Sequence, residues 1–132
     1  MKKDILQSIY DDTFKLCYGL TKETYNSLPE VAPYPFIYVG EQFDQPKRTK
    51  DPYITAGSSQ LTVHIYGLKK KRRLMTDLMR KVRLSLPQTD NNIHQFENVN
   101  TVIQEENSNK TESLVHGILT VDFSYLQDER GN

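Results

Sequence analysis

The sequence predicts an α+β domain: a mixed or antiparallel sheet of roughly four strands, two helices packed on one face, and a long loop between the first two strands. Three observations carry this. Two stretches repeat apolar residues at three-and-four spacing, the mark of amphipathic helices. Two others alternate between apolar and polar residues, the mark of half-buried strands. The order helix, strand, loop, strand, helix, strand, strand suits one helical layer on one sheet.

The first helix starts at Asp4, a capping residue with Gln7 three positions on. Ile5, Leu6, Ile9, Tyr10, Phe14 and Cys17 make its apolar face, and Gly19 is the expected stop. Thr21 to Tyr34 is polar, carries Pro29 and Pro33, and reads as a connector. Pro35 to Gly40 has the aromatic and β-branched content of a strand. Glu41 to Ser59 is polar and reads as a long loop, of the kind that is often functional. Its two arms could instead extend the strands into a projecting hairpin.

Gln60 to Tyr66 alternates strictly, with Leu61, Val63 and Ile65 on one face and Thr62, His64 and Tyr66 on the other. Lys69 to Leu86 is the clearest helix, with Met75, Leu78, Met79, Val82 and Leu86 on its apolar stripe and Pro87 ending it. A weaker strand spans Ile93 to Glu106, followed by a turn cluster at Asn107-Ser108-Asn109-Lys110. Ser113 to Leu126 alternates again and pairs with its predecessor as a hairpin.

Composition bounds the function. A chain of 132 residues reads as one domain over 1–132. Hydrophobic residues make up 36%, a thin core that leaves polar loops or surfaces to be buried in an assembly. Seventeen basic side chains balance seventeen acidic ones, which argues against a generic polyanion binder. The zero hides a pattern. Residues 1–50 are balanced, 51–86 hold eight positive and two negative side chains, and 87–132 hold two positive and eight negative. The lone Cys17 fits a reducing compartment and a buried thiol. No apolar run is long enough to span a membrane, and the segment after Met-Lys-Lys lacks the apolar core of a signal peptide.

The sequence holds no nucleophile elbow, no phosphate-cradling glycine loop and no metal-ligand spacing. Glu105 and Glu106 are adjacent and point to opposite faces of a strand, so they cannot act as a carboxylate pair. His64 and His116 both lie on expected strands and could approach across a sheet. The expectation is a protein without catalytic, cofactor or metal residues. The run Lys69-Lys70-Lys71-Arg72-Arg73 opens a helix, where positive charge opposes the macrodipole at a cost of a few tenths of a kcal/mol per residue, roughly. The run reads as a phosphate or polyanion patch, as a solvated helix start, or as an interface that meets the acidic block of a neighbouring subunit; a partner or local geometry should offset the cost, which favours the interface over an idle surface.

Tyr34-Pro-Phe-Ile-Tyr-Val-Gly-Glu41, the long polar stretch, Ser59-Gln-Leu-Thr-Val-His-Ile-Tyr-Gly67, the basic helix to Leu84-Ser-Leu-Pro87 and the acidic terminal hairpin together resemble the tail-terminator, or tail-completion, proteins of long non-contractile phage tails. The likeness is one of order, length and local character over most of the chain, with no catalytic signature to match. It implies a head-to-tail ring, commonly a hexamer, at the head-proximal end of the tail in the virion, made in the cytoplasm of a bacterial host. The implied partners are other copies of the chain, the major tail tube protein and the head–tail connector protein, with no membrane and no sequence-specific nucleic acid. On this reading Lys69, Lys70, Lys71, Arg72 and Arg73 meet Glu105, Glu106 or Glu112 of a neighbouring subunit. Phe43, Lys47, Arg48, Lys50 and Tyr53 lie in the segment expected to dock on the tail tube or connector. The alternatives are a head–tail connector or stopper ring and, from another class, a small nucleic-acid-binding regulator.

Overall fold

The computed structural model describes residues 3–107 and 112–130. The expected turn after Asn107 lies outside the described residues. The elements are α1 (Ile5–Leu20), β1 (Thr24–Tyr25), β2 (Phe36–Lys47), β3 (Ile54–Leu68), α2 (Arg72–Ser85), β4 (His94–Asn107) and β5 (Ser113–Asp128). Short 3-10 turns, Lys69–Lys71 and Leu86–Thr89, flank α2.

The five strands form one mixed sheet in the order β1-β2-β3-β5-β4. Only β1–β2 is parallel; the other pairs are antiparallel. Both helices pack on the same face of the sheet. That face supplies Ile37, Val39, Leu61, Val63, Ile65, Val115, Leu119, Val121 and Phe123 to the core. The helices supply Ile5, Ile9, Cys17, Met75, Leu78, Met79 and Val82. Among the described residues the opposite face carries no second layer.

Of the two readings of residues 41–59, the long loop is corrected and the strand-extension alternative holds: the segment is a paired hairpin. β2 runs to Lys47 and β3 begins at Ile54, so only residues 48–53 connect them. Its polar residues sit where strands turn side chains to solvent, and polarity alone read as loop. The hairpin does not project freely, because β5 pairs with β3 as far as Asp128 opposite Ile54. The sheet also gains a strand: Thr24 and Tyr25 pair with Ile37 and Tyr38 inside the expected connector. Two residues are too short to show a period.

Gly19 lies inside α1 rather than at its end. The helix closes at Thr21, whose extended backbone N–H donates to the Cys17 carbonyl. At the other end Asp4 is the cap, its carboxylate accepting from the Leu6 N–H at 3.0 Å. Gln7 does not return to it; its amide donates to Asp11 instead.

Two close approaches set the distance between α2 and the sheet. A Cβ on Gly67 would sit 2.7 Å from the Met75 Cβ, and one on Gly117 would sit 2.6 Å from the Met79 sulfur. Both glycines lie on core-facing strand positions, so α2 beds directly on backbone. Across the sheet, the Tyr125 hydroxyl donates to Asp44 at 2.6 Å and links β5 to β2 over β3. No helix among the described residues is long and apolar enough to cross a membrane.

Candidate functional site

The face without helices is built by the alternation of β3 and β5. Positions that alternate with the core residues point outward: Thr62, His64 and Tyr66 on β3, and His116, Ile118, Thr120 and Asp122 on β5. The register sets Tyr66 opposite His116 and His64 opposite Ile118, and the two histidine rings meet diagonally. His64 Nδ1 lies 2.7 Å from His116 Nε2.

The pair extends at both ends. His64 Nε2 lies 2.9 Å from Glu41 Oε1, and His116 Nδ1 lies 2.6 Å from Glu106 Oε1. The result is a bridge Glu41–His64–His116–Glu106 with one residue from each of β2, β3, β5 and β4, in their spatial order. Both histidines are buried, at 9% and 5% exposure, while the two glutamates reach solvent. Tyrosines flank the rings. Tyr66 stacks on His116 with centroids 4.1 Å apart, and Tyr38 on His64 at 5.2 Å. A Cβ on Gly40 would come within 3.1 Å of the His64 ring, so glycine there leaves room for it.

Ionised carboxylates only accept, so against them His64 Nε2 and His116 Nδ1 donate outward, and the central nitrogen–nitrogen contact takes one N–H as donor and one bare ring nitrogen as acceptor. The bridge is thus a tie across four strands. The ring nitrogens leave no space between them for an ion, and among the described residues no cluster of three or more His, Cys, Asp or Glu is placed to hold a metal.

The surrounding field is negative. Burial, with the nearby charges of Glu106 and Glu41, pushes the Tyr66 phenol up to about 12. Two bulges add to it. The β2 register shifts between Val39 and Gln42 and that of β4 between Phe96 and Asn98. Such bulges re-aim side chains. The first brings Glu41 to His64, and the second places Glu97 against the Ser124 hydroxyl at 2.5 Å. Asp122 accepts from the amides of Gln60 at 3.2 Å and Asn98 at 3.1 Å.

The third histidine serves the other face. His94 is buried, with Nε2 2.9 Å from Asp12 of α1 and its ring edge-on to Phe123. It clips β4 to the helical layer. Cys17 is also inert in this setting: burial pushes its thiol up to about 12. A groove of about 580 Å³ lined by Asp12, Lys15, Gln88 and Asp90 shares no residue with the bridge.

The residues expected at an interface are partly spoken for within the chain. Lys69 Nζ lies 3.2 Å from Glu105, and Lys70 Nζ lies 3.7 Å from Glu112. Glu106 is occupied by His116. These contacts, expected between subunits, form inside one chain, in the 3-10 turn that precedes α2. Lys71, Arg72 and Arg73 make no ion pair among the described residues. Of the expected docking residues, Phe43 is an exposed residue of β2 and Lys47 ends that strand. Arg48 and Lys50 lie in the connection, as does Tyr53, whose ring carries the Arg130 guanidinium at 5.4 Å. The sequence allows that His64 and His116 approach across a sheet, but not the bridge with Glu41 and Glu106, because the histidines lie 52 positions apart and only the β3–β5 register joins them.

No protein-family model matches the sequence, and no curated protein matches it significantly. Among solved structures the fold is shared with a chain described as "Virion of native gene transfer agent (GTA) particle", at 10% identity and a TM-score of 0.56. The alignment covers 92% of this chain and 93% of that one.

Proposed function

We propose that the chain is a structural, non-catalytic virion protein of a long-tailed, phage-like particle. Within that class it is a tail terminator, assembling as a head-to-tail ring, commonly of six, that caps the tail tube and joins it to the head connector. The observation that carries this is the shared fold over nine-tenths of both chains with a protein of a gene transfer agent virion. The order of elements and the open sheet face support it. So does the separation of basic and acidic blocks along a chain of zero net charge, which favours contact between unlike surfaces of neighbouring copies.

Electron microscopy of particles made without the protein tests the role. Loss of a terminator gives overlong tails unattached to heads. Normal tails beside leaky filled heads would assign the chain to the connector or stopper ring instead. Unaltered particles would reject both.

A further inference from the structure

The open sheet face and the outer face of α2 are chemically opposite and look in opposite directions, since the helical layer lies on the far side of the sheet. The open face carries Glu41, Glu97, Glu106 and Asp122, held by imidazole, hydroxyl and amide partners. None of the four pairs with a Lys or Arg among the described residues. Glu97 and Asp122 face no basic side chain among the described residues, and Glu41 and Glu106 face only histidines.

On α2, Arg73, Asp77, Arg80 and Leu84 follow one another at four, three and four positions, with Leu74 and Lys81 beside them. That spacing makes one outward stripe about 17 Å long. Arg73, Arg80 and Lys81 also lack a carboxylate partner among the described residues. Leu74 and Leu84 are 51% and 63% exposed on this stripe, and Val102 is 54% exposed on the sheet face. The receiving surface is about 26 Å along β5 from His116 to Ser124 and about 14 Å across four strands, which accommodates one helix.

We propose that the open sheet face of each copy receives the outer stripe of α2 from a second copy, with Arg73, Arg80 and Lys81 set against Glu97, Asp122 and Glu41 and with Leu74 and Leu84 set against Val102 and Ile118. The proposal deepens the self-assembly reading above and rests on it. Because the two surfaces differ, the contact is heterologous and propagates from copy to copy, closing as a ring where the rotation per step closes and running on as a filament where it does not.

The test is charge reversal read by solution mass at low salt, with circular dichroism to confirm folding. Arg73→Glu/Arg80→Glu reverses the helix, and Glu97→Lys/Asp122→Lys reverses the sheet. Each weakens assembly at least about tenfold. Mixing the two variants restores it, as does placing all four changes in one chain. The helix variant alters only exposed positions, so it decides the question alone if the sheet variant misfolds. A wild-type chain that stays monomeric overturns both this proposal and the self-assembly reading. A helix variant that assembles like the wild type overturns this proposal only. If that variant also loses retention on duplex DNA, α2 serves a polyanion instead.

Discussion

At Glu41 two effects oppose each other. Burial raises the carboxyl, but the His64 hydrogen bond and the charges of His64 and His116 outweigh it, leaving the group below the usual value of 4.5. A lowered folded value stabilises the native state fully above 4.5, and the gain disappears as pH falls through the folded value. Because Glu41 reaches solvent, screening holds the effect to about 0.5 kcal/mol, or roughly 1–3 °C in Tm. Glu41→Gln should therefore melt below the wild type by that amount near neutrality, with the gap closing toward pH 3. A gap independent of pH would show that the Glu41–His64 contact contributes shape and not charge. That the two histidines lie on strands is legible in the alternation around them. That they touch is not, because contact depends on pairing between segments half the chain apart.

At the level of elements, local periodicity is a good guide where a segment has one wet and one dry face. The α2 stripe and the alternation of β3 and β5 are legible for that reason. The arms of the β2–β3 hairpin are not, since near the tip they are built of polar and small residues, Asp44, Gln45, Thr55, Ser58 and Ser59 among them, and no apolar rhythm remains. β1 is invisible because it borrows its structure from β2. The glycines of the sheet became meaningful only with α2 in place. At Gly67 an added Cβ would strike the Met75 Cβ, which cannot swing aside, whereas at Gly117 it would meet the Met79 thioether, which can. Gly67→Ala should accordingly cost ~1–3 kcal/mol in denaturant unfolding and Gly117→Ala distinctly less. Equal losses at the two sites would mean that α2 shifts as a unit and that no single contact sets its distance.

For the molecule as a whole, zero net charge acquires a geometry. The positive surplus of residues 51–86 sits largely on α2, and much of the negative surplus of 87–132 sits on the bare side of the sheet. A lysine pair in the 3-10 turn before α2 is neutralised internally by Glu105 and Glu112. What remains is a charge-separated slab, and on the proposed contact its two sides attract each other in neighbouring copies while like sides repel in a face-to-face pair. That contact disfavours symmetric dimers and favours head-to-tail assembly, as a ring or a filament according to its rotation. Attraction between exposed charges is screened by salt. Raising NaCl from about 0.05 M to about 0.5 M shortens the Debye length from roughly 14 Å to roughly 4 Å. The assembled fraction at fixed protein concentration should fall over that range, as measured by light scattering. Leu74, Leu84 and Val102 supply an apolar component that salt does not weaken, so assembly should decline without vanishing. Assembly that strengthens steadily with salt would mean that apolar burial alone joins the copies, and the opposed charges of the two faces would then have no part in it.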